Sequence, residues 1–371
     1  MKGFYIFFGT GSVGVKKKIN MQIHELKSIS NVELIEVPYY KRTIWKKIKS
    51  KIPFCSCGFN YNTLYEQIKD PDYLYIRRTT ADRDFYQFLL FIKKKFPKCR
   101  IIVEIYTYPY DKDDYNRNIR HHIRMLPYYQ RDKYYRLRLK SVVDRFVTYS
   151  DDDEIFGIET IKSCNGVIVD EIKCRNAIKR NDNVLNIVAV AGMQVHHGYE
   201  RLIKGLNIYY KRNPNKTVVF HLVGEGPEIL KYKRLTSQFG ISNYVKFHGK
   251  KLGKELDDIY DEADIAIGSL GLYKYDIFCN STLKVGEYLA KGLPIVTGAH
   301  ISMIEDENVP FILNISNDST DVDIRKIIEF YERVYNDVSI SDVANKIREF
   351  AYEHFDMPIV MKPIIDYLSY K

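Results

Sequence analysis

Residues 280–294 read Asn-Ser-Thr-Leu-Lys-Val-Gly-Glu-Tyr-Leu-Ala-Lys-Gly-Leu-Pro. Ser281 is a favoured N-cap, so the pattern predicts a helix over Thr282–Lys291, stopped by Gly292 and Pro294. The first-turn N–H groups around Ser281, Thr282 and Leu283 then point out of the helix start, and with the dipole they make an anion site. Lys284 falls in that turn, where a cation opposes the dipole by about 0.3–1 kcal/mol. A capping box would put Glu or Gln there instead. A cation set against its own helix makes sense if it grips phosphate. Glu287 lies on the same face one turn deeper, within reach of the sugar hydroxyls of a nucleotide whose diphosphate rests on Lys284. The plain alternative is a surface helix with a Glu287–Lys291 pair at i,i+4. His197 and Arg201, also four apart, read as a second basic face toward phosphate, the plainer reading being a capping or surface histidine. Adjacent His196 and His197 point apart and have no carboxylate at ligand spacing, so no metal site is expected.

These residues need elements to hold them. Residues 184–298 alternate apolar strands (184–191, 217–223, 245–248, 264–268, 293–297) with helical patterns at 199–210, before Gly240, at 253–262 and at 282–291. Wholly apolar strands separated by helices imply a parallel sheet covered on both faces. The first half repeats the alternation less cleanly, with strands at 4–8, 32–37, 73–76, 101–105 and 145–149. The expected architecture is α/β, two Rossmann-like doubly wound domains at 1–168 and 184–355. A last helix, about 356–371, is expected to pack back on the first. Ligands would bind at the carboxyl ends of the strands, in a cleft between the two sheets.

The chain has 371 residues, 45% of them apolar, which suits two domains and excludes a disordered chain. The net charge of +10 is uneven: residues 1–183 hold 35 Lys and Arg against 22 Asp and Glu, and the remainder 22 against 25. Residues 41–51 carry six cations and no acid, with Ile44, Trp45, Ile48 and Ile52 along one stripe. That pattern suits an anionic membrane surface. No recognition motif for nucleic acid accompanies the charge. Six cysteines without C-x-x-C spacing, no apolar run long enough to span a bilayer and no signal-peptide core point to a cytoplasmic protein, peripheral on the inner face of the membrane. Gly9-Thr10-Gly11-Ser12-Val13-Gly14 after the first strand is formally G-x-G-x-x-G, with Glu33 and Glu36 about 20 residues on. Taken alone it admits a dinucleotide fold and an NAD-dependent oxidoreductase.

The 281–294 stretch resembles the nucleotide-binding helix of family 4 (group 1) retaining glycosyltransferases of the GT-B fold, in the S-x-L-K-x-x-E-Y-x-A-x-G-x-P form typical of bacterial surface-polysaccharide enzymes. His197-Gly198-Tyr199-Glu200-Arg201 is similar to their H-G-Y-[DE]-R segment, and Leu222–Pro227 to their L-V-G-x-G-P loop. Val245–Gly249 resembles V-x-F-x-G, and Glu104–Asp111 an E-x-P-T-Y-P-Y-D segment. Cys279 stands where many members have the first of two glutamates eight apart. Met193 and His197 replace the Arg and Lys of the commoner phosphate loop, leaving Lys274 to supply a basic group.

The resemblance implies a hexosyltransferase-like enzyme that moves a sugar from a nucleoside diphosphate to a hydroxyl of a glycan or lipid-linked acceptor. It implies retention of configuration, no metal and no cofactor, the sugar nucleotide being substrate. Lys284 and Glu287 are the catalytic candidates. Ser281, Thr282, Leu283, His197, Arg201, Lys274 and the Gly224-Glu225-Gly226 loop would hold the donor. Gly11, Ser12 and Gly14 would form a cleft loop in the first domain, with Glu104, Tyr108 and Asp111 toward the acceptor. A GT-B sugar-nucleotide epimerase and a non-catalytic nucleotide-sugar-binding protein are the alternatives.

Overall fold

The computed structural model describes residues 1–9, 13–39, 52, 58–111, 119–176, 183–304, 308–336 and 338–370. Gly11, Ser12 and the basic run 41–51 lie outside them. The chain divides into two compact units, residues 1–164 with 357–371, and residues 165–356.

The first unit is built on a seven-stranded sheet: β1 (Lys2–Phe8), β2 (Asn31–Val37), β3 (Tyr73–Arg77), β4 (Arg100–Ile105), β5 (Arg145–Thr148), β6 (Glu154–Ile155) and β7 (Ile158–Lys162). Their order is β2-β1-β3-β4-β5-β7-β6, parallel throughout except the β6–β7 hairpin. β3 is wholly buried and β1 and β4 nearly so, because helices such as Val13–Leu26, Arg83–Lys95 and Met357–Ser369 cover the sheet. The hairpin was not anticipated. Its signal is Phe156-Gly157, both at positive φ, as a two-residue type I′ turn requires.

Glu104 does not end its strand open to an acceptor. It is fully buried and accepts hydrogen bonds from Gln22 Nε2 and Tyr75 Oη, each at 2.7 Å, and from Arg77 at 3.1 Å. Lys18 Nζ lies 3.4 Å away and also bonds the Tyr149 hydroxyl. Burial alone would raise the Glu104 pKa, but the charges of Lys18 and Arg77 and these hydrogen bonds hold it down at about 2. The motif that includes Glu104 thus ties strands and helix at the sheet's switch point between β1 and β3.

The second unit has six parallel strands, β8 (Val184–Val190), β9 (Thr217–Val223), β10 (Val245–Gly249), β11 (Ile265–Ile267), β12 (Ile295–Thr297) and β13 (Ile312–Asn314). Their order, β10-β9-β8-β11-β12-β13, puts the topological switch between β8 and β11. The five strands read from sequence are present. β13 and the helices Ile324–Tyr335 and Ile340–Phe355 add to them.

Glu104→Ala leaves Lys18 and Arg77 buried without a counter-charge and is expected to cost about 3–5 kcal/mol. The wild-type carboxylate stabilises fully above its unfolded pKa of about 4.3 and loses that contribution as pH falls toward 2. Urea titrations monitored by circular dichroism should show the variant with a lowered midpoint and a flatter pH dependence between 4 and 2. An unchanged midpoint would exclude this role.

Candidate functional site

At the carboxyl end of β8 the chain turns through Ala191–Gln194 into a short 3-10 turn, Val195–His197. His197 closes a reciprocal cap there: the Gln194 N–H donates to His197 Nδ1 at 2.9 Å while the Gln194 side chain accepts from the His197 backbone. With Nδ1 occupied as an acceptor, the ring's proton sits on Nε2. Burial, then the charge of Lys284 and the neighbouring His196, push the His197 pKa far below its usual value, so the ring is a neutral donor. The capping reading of His197 holds, and a cationic one does not.

The turn is fastened backbone to backbone on the loop after β11. The N–H of Leu270 donates to His197 O at 2.8 Å, and that of Gly271 to His196 O at 3.2 Å. Gly198 has φ +63°, and a Cβ there would lie 2.5 Å from Gly271 N. Only glycine permits both the left-handed turn and this approach. Gly224 and Gly226 answer the same need after β9, where a Cβ would lie 2.0 Å from Ala191 O and 2.2 Å from Gly192 O. The glycines of that loop therefore let the β8 and β9 loops touch, and Glu225 between them is exposed.

Tyr199 follows, fully buried, its ring stacked on His197 with centroids 5.5 Å apart and edge-on to Phe220. Lys284 reaches this ring: its Nζ donates to Tyr199 Oη at 3.2 Å and lies 5.5 Å from the ring centroid. Burial lowers the Lys284 pKa to about 7, and among the described residues no carboxylate charge offsets it. His196 feels the same environment, its pKa lowered to about 4 by burial and by Lys284 and Lys274. Lys284, His197 and His196 are thus brought together near the switch point of the sheet.

The helix that carries Lys284 spans Leu283–Ala290 and its N-cap is Thr282, one residue later than expected. Thr282 makes no side-chain cap, and its buried hydroxyl has no hydrogen-bond partner among the described residues. Ser281 is drawn away because its hydroxyl accepts from Asn165 N at 3.3 Å and its carbonyl from the Asn165 side chain. Glu287 is exposed, and Lys291 pairs with Asp257 at 2.5 Å, not with Glu287.

Arg201 does not join the basic face. It is buried, and its guanidinium donates to three backbone carbonyls, Thr320 at 2.6 Å, Leu270 at 2.7 Å and Ser316 at 2.9 Å. Those bonds tie the loop after β11 to the 316–320 segment after β13, leaving Arg201 a scaffold residue. Lys274 pairs with Glu200 and donates to Val195 O at 3.2 Å, so it borders the turn with its charge already matched. Met193 is fully buried. In the first unit Gly14 is exposed near the start of its helix. Asp111 is held by Arg136 at 2.6 and 3.1 Å, and Tyr108 packs edge-on against Tyr110 and Phe156. Tyr199 was not singled out as a site residue; its signal was its place between Gly198 and the Glu200–Tyr210 helix.

Residues 185–331 match the sequence family described as Glycosyl transferases group 1. The fold aligns over 99% of this chain and 97% of a glycosyltransferase from Rickettsia africae ESF-5, with TM-score 0.65 and 14% identity. It aligns over the whole of both chains with Anabaena HepE solved in complex with UDP, TM-score 0.62 and 14% identity. Sucrose-phosphate synthase from Thermosynechococcus elongatus gives TM-score 0.63 at 12% identity, covering 99% and 98%. The chain matches no curated protein sequence. The fold class is GT-B. The family matched over residues 185–331 is the one that the sequence motifs resemble.

Gly198→Ala must part the 196–198 turn from Leu270 and Gly271 in a backbone conformation that alanine disfavours, and is expected to cost about 1–3 kcal/mol. Gly240→Ala is the comparison, since it shares a positive φ but meets nothing within 4 Å. Thermal unfolding should separate the two, with Gly198→Ala the less stable; equal melting temperatures would remove the close contact from the account.

Proposed function

We propose that this protein is a glycosyltransferase that moves a sugar from a nucleoside-diphosphate sugar to an acceptor hydroxyl. The observation that carries the proposal is Lys284, a half-buried ammonium with no described counter-charge at a helix start. An uncompensated buried cation is costly, and a pyrophosphate supplies the missing charge. As the glycosidic bond breaks, the leaving diphosphate gains negative charge, and fixed donors aimed at it are the largest catalytic effect available. Lys284, the neutral Nε2–H of His197, the Thr282 hydroxyl and the N–H groups of Leu283 and Lys284 provide that set. Ser281 and Arg201 support it from behind, and Lys274 borders it. Glu287, exposed one turn on, accepts from the ribose hydroxyls, and the Gly224–Gly226 loop lies under the base.

UDP is the first donor nucleotide to test, because HepE is described in complexes with UDP and with UDP-glucose. The acceptor is a glycan or lipid-linked sugar of a surface polysaccharide. The transfer retains configuration, with the leaving phosphate taking the acceptor proton, and needs no metal. Among the described residues no helix is long and apolar enough to cross a membrane. Peripheral attachment through 41–51 falls outside the described residues.

Lys284→Ala and Glu287→Ala should abolish transfer from UDP-sugars while melting as cooperatively as the parent. Near-parental turnover in both would refute the site. The pH dependence has a definite sign. Free Lys284 titrates at about 7, and a bound pyrophosphate holds it protonated. UDP affinity therefore falls as pH rises above 7, by at most about tenfold per unit. Calorimetry at pH 8 in buffers of different ionisation enthalpy should show uptake of close to one proton per UDP, absent in Lys284→Met. Without ligand the sense reverses: unfolded lysine keeps its proton to about 10.4, so this group's contribution to stability rises with pH from 7 to that value.

A further inference from the structure

The 195–197 turn carries two imidazoles side by side, their ring centroids 4.2 Å apart, in unlike surroundings. His197 is buried and its Nδ1 accepts the Gln194 N–H at 2.9 Å, so that nitrogen cannot take a proton without losing the cap. His196 is half-buried, and among the described residues neither of its ring nitrogens has a hydrogen-bond partner. Its placement is fixed all the same. The His196 carbonyl accepts from Gly271 N at 3.2 Å, and the Tyr275 ring stands edge-on to the imidazole at 6.2 Å.

Cations act on this ring from two other elements. Lys274, in the Leu272–Tyr275 turn, donates to Val195 O at 3.2 Å, one residue before His196. Its partner Glu200, at the start of the next helix, also pairs with Lys231. Lys284, in the helix Leu283–Ala290, bonds Tyr199, whose ring stacks on His197. Burial and then these two ammoniums hold free His196 neutral, with a pKa of about 4, and among the described residues no carboxylate charge acts on the ring in return.

We propose that His196 takes up a proton when a diphosphate binds, turning from a neutral ring into an imidazolium that donates to the phosphate oxygens. The inference rests on the transferase reading of the same site and assigns a titrating group to it. The proton comes from solvent, one ring nitrogen accepts it, and no covalent bond to the ligand forms or breaks. With the site empty, a further positive charge beside Lys274 and Lys284 is disfavoured. With a diphosphate in place, negative charge faces the ring and its N–H groups find acceptors. His197 cannot respond in this way, because its cap occupies the nitrogen. The charge on His196 thus arrives with the anion, and is present when the leaving diphosphate gains more.

The test is titration calorimetry of the full chain with UDP-glucose, whose diphosphate diester has no titrating group near neutral pH. At pH 5.5 free Lys284 is already protonated and free His196 is neutral, so uptake there is separate from the Lys284 step above 7. In buffers of different ionisation enthalpy, about half a proton or more should be taken up per UDP-glucose, and affinity should rise as pH falls toward 4, by at most about tenfold per unit. His196→Gln keeps a donor but cannot titrate. It should bind without that uptake, with a flatter pH dependence, while melting like the parent. An NMR titration of the ring protons should show His196 moved from about 4 in the free chain to above 5.5 with UDP-glucose. Binding without uptake at pH 5.5, equal uptake in His196→Gln, or a His196 titration unmoved by the ligand overturns this inference and leaves the transferase reading standing. Absence of UDP-glucose binding at pH 7 overturns both.

Discussion

An ammonium withdrawn from water without an opposing carboxylate raises the free energy of the fold, and proteins as a rule avoid it. Four lysines here show how differently that cost is met. Lys18 lies deep in the first unit and faces Glu104, which partly offsets its burial, leaving it at about 8. Lys274 is matched by Glu200, and Lys291 by Asp257. Lys284 has the hydroxyl and ring face of Tyr199 and a lower pKa, about 7. Its surroundings are also kept from becoming positive, since His196 and His197 are both held neutral. A charge unmatched among the described residues, set amid neutral donors, is a selective arrangement for an anion, because each donor gains when a negative group arrives.

That arrangement is held by main chain more than by side chains. The 196–198 turn and the 270–271 segment bond each other directly, and Gly198 meets Gly271 at a distance no Cβ allows. The loops after β8 and β9 approach as closely through Gly224 and Gly226. Arg201 then binds the Leu270 carbonyl of the second segment together with those of Ser316 and Thr320 after β13. The position of His197 is thus fixed by contacts that tolerate little change in residue type, and the sequence pattern H-G-Y-E-R is the trace of those contacts.

The alternation of strands and helices could be read in the second unit because parallel strands buried on both faces are continuous apolar runs, and local order suffices to see them. The place of Lys284 in a first helical turn was equally local, and the helix Leu283–Ala290 has it there. What escaped depended on distant partners. Nothing near Ser281 says that Asn165 will take its hydroxyl and move the cap to Thr282. Spacing set Arg201 beside His197, but its carbonyl acceptors lie 69 to 119 residues away. Glu104 ends a motif and looked available, yet Lys18, Gln22, Tyr75 and Arg77 converge on it from other elements. β6 and β7 are too short to show a period, and the turn between them was the sole cue.

Arg201 and Lys284 make the physical division clearest. Both are cations in segments shared with a sequence family, and both leave water on folding. A guanidinium has five donors in a plane, and Arg201 places them on three carbonyls with the Asp318 carboxylate 3.7 Å away, so its burial completes the scaffold and leaves little for a ligand. An ammonium is a compact charge with three donors, and a phenol oxygen and a ring face do not neutralise it. The same sign of charge at two neighbouring points therefore yields one residue spent on the fold and another in electrostatic deficit. It is that deficit, more than the presence of a basic side chain, that sets Lys284 apart from Arg201.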